Sequence, residues 1–174
     1  NTFYATSGYS RNISNRLYVF NPTTTDFANN TCFFPVLTSG GVEPVIGDVG
    51  VMPRGNIRGV TADSNGNIYI VQQEDVDLLC SRIYKYSPSY QLLAVSVQDC
   101  IEDGAGFKRA IGIIYSETCN CLYVSTQSTI DDCVHVFDTN LNSMVLLPSV
   151  IFDEEFHTLK LDNKLINFYT LVPL

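Results

Sequence analysis

Apolar and polar residues alternate in short runs along most of the chain, and no window longer than ten residues places apolar side chains at i, i+3, i+4 and i+7. The period is that of strands, rich in β-branched and aromatic residues and bounded by Gly, Pro, Asn and Asp. The clearest stretch runs from Ile57 to Val97 and divides into strands over 57–62, 67–72, 82–86 and 91–97. Asn65-Gly66 supplies two residues that tolerate a left-handed backbone, as a tight hairpin needs. Taken in order, the four strands predict one antiparallel four-stranded unit.

The unit recurs. Gly112 to Ser116 matches Gly59 to Asp63, Leu122 to Ser125 matches Ile68 to Val71, and Cys133 to Asp138 matches Arg82 to Ser87. Near the start, Phe3-Tyr4-Ala5 matches Ile68-Tyr69-Ile70, and Arg16 to Pro22 matches Arg82 to Pro88, so the chain enters at the second strand of a unit. Thr31 to Leu37 reads as the outer strand of that first unit. Phe156 to Asp162, a turn at Asn163-Lys164, and Leu165 to Leu171 read as the first two strands of a last one. Tyr69 and Tyr123 are 54 residues apart. Four strands repeating at roughly 40 to 50 residues is the pattern of a β-propeller. The expected fold is therefore all-β, a propeller segment of two complete blades (57–99 and 108–150) and two partial ones (1–37 and 156–174). Between the first two lies a connection, 38–56, dense in Gly and Pro and longer than most loops in compact domains, which makes it a candidate recognition loop. Because a ring needs at least about four blades, the exposed sheet edges call for missing blades or a neighbouring chain to cover them.

The residues Arg58-Gly-Val-Thr-Ala-Asp63-Ser-Asn-Gly66-Asn67-Ile-Tyr69-Ile-Val, followed by Arg82-Ile-Tyr-Lys-Tyr, resemble the NHL repeat. That repeat has a glycine-led inner strand, an Asp-x-x-Gly-Asn hairpin, a Tyr-Val strand and a basic-apolar third strand. The resemblance is closest over 57–88 and weaker over 110–139, where Cys119-Asn120-Cys121 stands in place of the Gly-Asn turn. It implies a propeller similar to those of sugar lactonases, an amidating lyase, strictosidine-synthase-like proteins and non-catalytic interaction scaffolds. Fold alone does not choose among these.

Composition narrows the choice. The 174 residues are 45% hydrophobic and 16% charged, which fits a packed globule. A net charge of −8 argues against nucleic acid or anionic lipid as a partner, and no apolar run approaches the length of a membrane helix. Six cysteines beside the sequons at Asn12 and Asn29, both candidate glycosylation sites, suit a secretory or extracellular setting. A chain that begins with Asn and lacks a leader is expected to be either a processed product or an internal piece of a longer protein.

Strand order sorts the loops by face. Connections from second to third strands, and from fourth strands to the next unit, emerge on one rim. There lie Glu74, Asp75, Asp77, Asp99, Glu102, Asp103, Asp131 and Asp132, eight of the 18 carboxylates. Carboxylate oxygens in loops suit a hard cation, calcium above all, although no spacing here is that of a dedicated calcium loop and a solvated acidic surface is the competing reading. Arg58, Lys108 and Arg109 stand where inner strands begin, at the axial mouth. They are candidates for holding an anionic ligand or, equally, for pairing with the rim carboxylates. His157 enters an inner strand while His135 sits in a third strand, too few for a zinc site. No Gly-x-Ser-x-Gly elbow or phosphate-binding glycine loop is present, and no catalytic residue is assigned.

Topology also constrains the cysteines. Cys80, Cys100 and Cys133 belong to the acidic rim, whereas Cys119 and Cys121 belong to a hairpin at the opposite face, as a disulfide or as free thiols. Because bridged α-carbons lie within about 7 Å, the two groups should not cross-pair. Cys80 with Cys100 is the first candidate bridge, closing a loop of about twenty residues worth roughly 3 kcal/mol, and Cys100 with Cys133 the second. The function expected from all this is a non-catalytic extracellular module that binds a protein or glycan through the acidic loop face and loop 38–56. The alternative is a propeller enzyme of the lactonase or lyase kind with a divalent cation at the axial mouth.

Overall fold

A computed structural model describes residues 2–7, 15–20, 35–74, 80–96, 109–126, 133–147, 158–161 and 164–167. Among these residues there are thirteen strands and no helix. The first sheet holds β1 (Phe3–Ser7), β2 (Arg16–Phe20) and β3 (Leu37–Thr38), in that order. The second holds β4 (Asn56–Ala62), β5 (Ile68–Glu74), β6 (Arg82–Tyr86) and β7 (Leu92–Val95), and the third β8 (Ala110–Ser116), β9 (Cys121–Thr126), β10 (Cys133–Asp138) and β11 (Ser143–Leu147). A two-stranded sheet of β12 (Thr158–Leu161) and β13 (Lys164–Asn167) follows. Every neighbouring pair is antiparallel, and no sheet closes into a barrel among the described residues.

The second sheet is buried on both faces, which explains why its strands read as nearly continuous apolar runs. Ile68, Ile70, Tyr84 and Tyr86 pack with Leu17, Leu37 and Met52 on the side of the first sheet. Tyr69, Val71 and Ile83, one position out of phase, pack with Ile113, Leu122 and Val124 on the side of the third. Because side chains alternate across a strand, neighbours in sequence belong to different cores. Each fully buried Leu or Ile contributes about 1.5–3 kcal/mol, so both sheet interfaces are driven by apolar burial.

The repeat legible in the sequence is exact in register. Tyr4 faces Val19, Tyr69 faces Lys85 and Tyr123 faces Val136, each on the second and third strands of its own unit. The entry strand β1 touches β4, just as β5 touches β8, which places β1 in the second-strand position. Both complete inner strands carry a bulge at the same step, at Arg58 between Ile57 and Gly59 and at Ile111 between Ala110 and Gly112. A β-carbon on Gly59 would stand 3.1 Å from the Ile113 backbone nitrogen and 3.3 Å from Val71 Cγ1. The missing side chain is what lets β4 approach β8 so closely.

One detail of the hairpin expectation is corrected. Asn65 does not adopt the left-handed conformation; Gly66 alone does, at φ 79°. The loop has three residues, closed by Gly66 N–H to the Asp63 carbonyl (3.0 Å) and Asp63 N–H to the Asn67 carbonyl (3.0 Å). The Asp63 carboxylate accepts the N–H groups of Asn65 and Asn67 at 2.9 Å each, which favours this loop over a two-residue turn. The same loop closes β6–β7 over Ser87–Gln91 and β10–β11 over Asp138–Asn142, with Tyr90 (φ 66°) and Leu141 (φ 70°) in the place of glycine.

Candidate functional site

The connection from β3 to β4 is built as a scaffolded loop. Val45 to Asp48 form a turn in which Asp48 N–H donates to the Val45 carbonyl and Asp48 Oδ2 accepts the Val45 N–H, both at 3.0 Å, with Gly47 at φ 105°. From there the backbone runs between two sheet edges. On the β7 side, Gly47 N–H donates to Leu92 O (2.9 Å), Leu92 N–H to Asp48 O (2.8 Å) and Gly50 N–H to Tyr90 O (3.0 Å). On the β3 side, Thr38 N–H donates to Gly50 O (3.1 Å) and Met52 N–H to Thr38 O (3.0 Å). The segment thus covers the outer edges of the first two sheets, which would otherwise present unpaired backbone.

Polar side chains fix the base of the loop. Glu43 turns inward: its Oε1 accepts from Gln72 Nε2 (3.1 Å) and its Oε2 from the Tyr84 hydroxyl (2.8 Å), with Arg54 Nε 3.5 Å from Oε1. Gln72 Nε2 also donates to the Arg54 carbonyl at 2.6 Å. At the far end, buried Asn15 donates from Nδ2 to the carbonyls of Pro53 (2.9 Å) and Gly55 (2.7 Å). Burial, and then the Glu43 carboxylate, push the Tyr84 hydroxyl far above its ordinary range, so it stays protonated and donating.

What this scaffold presents outward is aliphatic. Val42, Val45, Ile46 and Val49 are each 64–69% exposed, and Leu93 of the adjoining β7 is 40% exposed. Single exposed aliphatic residues are ordinary, but four within eight residues on one anchored loop form a surface of the kind other proteins cover.

The other candidate residues are differently placed. Arg58, on the β4 bulge, donates from Nε to Gln73 Oε1 at 2.7 Å. Arg109 is exposed, with φ 52°, at the entry to β8. Glu74 ends β5 opposite Asn56. Asp75, Asp77, Asp99, Glu102, Asp103, Asp131 and Asp132 lie outside the described residues, as do Lys108, His157, Cys100, Asn12 and Asn29. Among the described residues no three His, Cys, Asp or Glu gather as a metal would require. His135 is half-buried beside Phe137, and burial lowers its basicity. Cys80 is disulfide-bonded and 3% exposed, and Cys119 pairs with Cys121 across α-carbons 5.2 Å apart.

The face opposite the rim is formed by the hairpins. There the Asp63 carboxylate accepts from Asn67 Nδ2 (2.8 Å) and the Tyr69 hydroxyl (2.9 Å) in addition to its two N–H donors. Burial opposes its charge, but these bonds prevail and hold its pKa below the usual carboxylate value. Lys85 lies over the Tyr69 ring, 5.7 Å from the centroid, and donates to the Thr139 carbonyl at 2.8 Å, tying the second sheet to an outer hairpin of the third. Between the first and second sheets an open cleft of about 440 Å³ is lined by Tyr4, Val19, Phe20, Ile68, Pro88 and Tyr90.

Gly and Pro density marks loop 38–56 in the sequence, but its inward Glu43 and its backbone pairing to β3 and β7 have no sequence signal. Alternating Val-x-x-Val-Ile-x-x-Val is the one cue to its exposed crest. No protein-family model, curated protein or solved structure matches the chain.

Proposed function

We propose that the chain is a non-catalytic interaction module, a segment of an NHL-like propeller, that docks a protein through the crest of loop 38–56. The observation that carries this reading is the pairing of an aliphatic surface at Val42, Val45, Ile46 and Val49 with a base held by Glu43, Gln72, Tyr84 and Asn15. A loop fixed before binding loses little conformational freedom on binding, which raises affinity without new contacts. Aliphatic rather than aromatic side chains favour a protein over a glycan, since sugars are gripped by aromatic faces. The roles of Asp63, Gly66, Asn67 and Tyr69 in the β4–β5 hairpin support the NHL likeness. Disulfide bonding at Cys80 and at Cys119–Cys121 supports an oxidising, extracellular setting.

The test is a V45D/I46D double variant. A protein partner that binds the native chain should bind the variant at least about tenfold more weakly, because two unpaired carboxylates would have to be buried in an apolar contact. Thermal unfolding should be unchanged, since both side chains face solvent. Equal binding by the variant would discard the loop as the docking surface.

A further inference from the structure

The Cys119–Cys121 disulfide occupies a place in the fold where no covalent lock is needed. It tips the β8–β9 hairpin, whose counterpart in the second sheet closes with no covalent bond, through two backbone hydrogen bonds and the Asp63 carboxylate. The β8–β9 hairpin has its own closure as well: Ser116 pairs with Cys121 across the strands, and the Tyr115 hydroxyl donates to Asn120 Oδ1 at 2.9 Å. With a sequence separation of 2, the bridge encloses a very small loop, so it restrains the unfolded chain very little.

Its two sulfurs are unlike. Cys119 is exposed, flanked by exposed Thr118 and Asn120, whereas Cys121 is 2% exposed within β9. An attacking thiolate approaches along the S–S axis, so only Cys119 Sγ is open to it. The reduced state also has partners waiting. The Tyr123 hydroxyl stands 3.6 Å from Cys119 Sγ and can donate to a thiolate there, and the Ser116 carbonyl, 3.9 Å away, can accept from the thiol. Cys80, by contrast, is disulfide-bonded but buried.

We propose that Cys119–Cys121 is a thiol-exchange site whose substrate is a low-molecular-weight monothiol. The monothiol's thiolate attacks Cys119 Sγ, a new S–S bond forms there, and the Cys119–Cys121 bond breaks. Its electron pair passes to Cys121 Sγ, which takes a proton from solvent. A second monothiol attacks the outer sulfur of the mixed disulfide, releasing the oxidised monothiol dimer and leaving Cys119 as a thiol, so two electrons have moved to the protein. The reverse sequence restores the bridge.

The native protein is incubated with reduced glutathione as the probe, quenched with iodoacetamide and peptide-mapped over time. The Cys119–Cys121 bridge should open at least tenfold faster than the Cys80 disulfide, with the far-UV spectrum unchanged. In a Cys121→Ser variant treated with oxidised glutathione, Cys119 should carry the adduct; in Cys119→Ser, Cys121 should carry at least tenfold less. Equal opening of the two disulfides, a preferential adduct on Cys121, or mapping of the untreated protein that finds Cys119 and Cys121 unbridged would each overturn the proposal. So would unfolding of a C119S/C121S double variant, which would make the bridge a structural necessity; retention of its fold supports the exchange role.

Discussion

The β4–β5 and β8–β9 hairpins occupy equivalent positions in successive sheets, joined by strands in the same register, yet one gathers its turn around a carboxylate and the other carries a cystine at its tip. In the first, Asp63 gathers two backbone N–H groups, the Asn67 amide and the Tyr69 hydroxyl. In the second, the position matching Asp63 is Ser116, Asn120 takes the left-handed residue at φ 51°, and Tyr123 meets a sulfur instead of a carboxylate. The fold therefore fixes where a hairpin must close and leaves the chemistry of closure open. It also follows that the tyrosine shared by both units does different work in each. Tyr69 is fully buried between two sheets and bonded to Asp63, while Tyr123 is only half-buried.

The comparison breaks most visibly at Asp63. Asp63→Ala takes the acceptor from two N–H groups and the Asn67 amide and leaves the buried Tyr69 hydroxyl only the longer contact to the Thr139 carbonyl (3.3 Å), and should cost about 3 kcal/mol in urea unfolding. Ser116→Ala, at the matching position, should cost under about 0.5 kcal/mol, as an ordinary substitution away from such networks does. Equal losses would show that Asp63 is not the closure it is taken to be.

A smaller effect comes from protonating that carboxylate rather than removing it. The folded pKa of Asp63 lies below its ordinary value of 3.8, so its contribution is complete above that value and is lost as pH falls through the folded one. Asp138 is lowered too: burial opposes its charge, but bonds from Asn142 and Asn140 outweigh it. The difference between native protein and Asp63→Asn isolates Asp63. Urea midpoints taken from pH 5 to pH 2 should fall more steeply for the native chain, and parallel curves would remove the carboxylate from the account.

The smallest effect is expected at the tyrosines. Tyr69→Phe should lose about 1 kcal/mol, the net worth of one hydrogen bond in a buried site, and Tyr123→Phe less than half of that. A larger loss at Tyr123 would mean that its hydroxyl does as much for the second hairpin as that of Tyr69 does for the first.

The sequence revealed the repeat through residues whose environment is set by the strand itself. Tyr4, Tyr69 and Tyr123 align in the sequence because register follows from a side-chain period of two, and the structure places them at matching positions. Gly59 was visible as a repeat-leading glycine, though the close approach of Ile113 that requires it was not. The left-handed residues Tyr90 and Leu141 carried no signal, because their hairpins borrow the conformation from hydrogen bonds around Ser87 and Asp138 rather than from glycine. Glu43 was equally silent: a glutamate in a Gly- and Pro-rich loop reads as solvated until Gln72 and Tyr84, about thirty and forty positions on, are seen to face it. Long-range partners of this kind leave no local periodicity.

Loop 38–56 has a further consequence for how the chain tolerates cutting and insertion. A protease must draw several residues of extended backbone into its cleft, and long breaker-rich loops normally supply them. Residues 47–52 are hydrogen-bonded to β7 on one side and β3 on the other, and residues 53–55 are gripped by Asn15. The tip at Val45-Ile46 and the approach at residues 40–42 stand clear. A connection whose composition marks it as the weakest point of the chain is thus a poor place to nick the protein or to graft a new segment, because either change would strip the outer edges of two sheets at once.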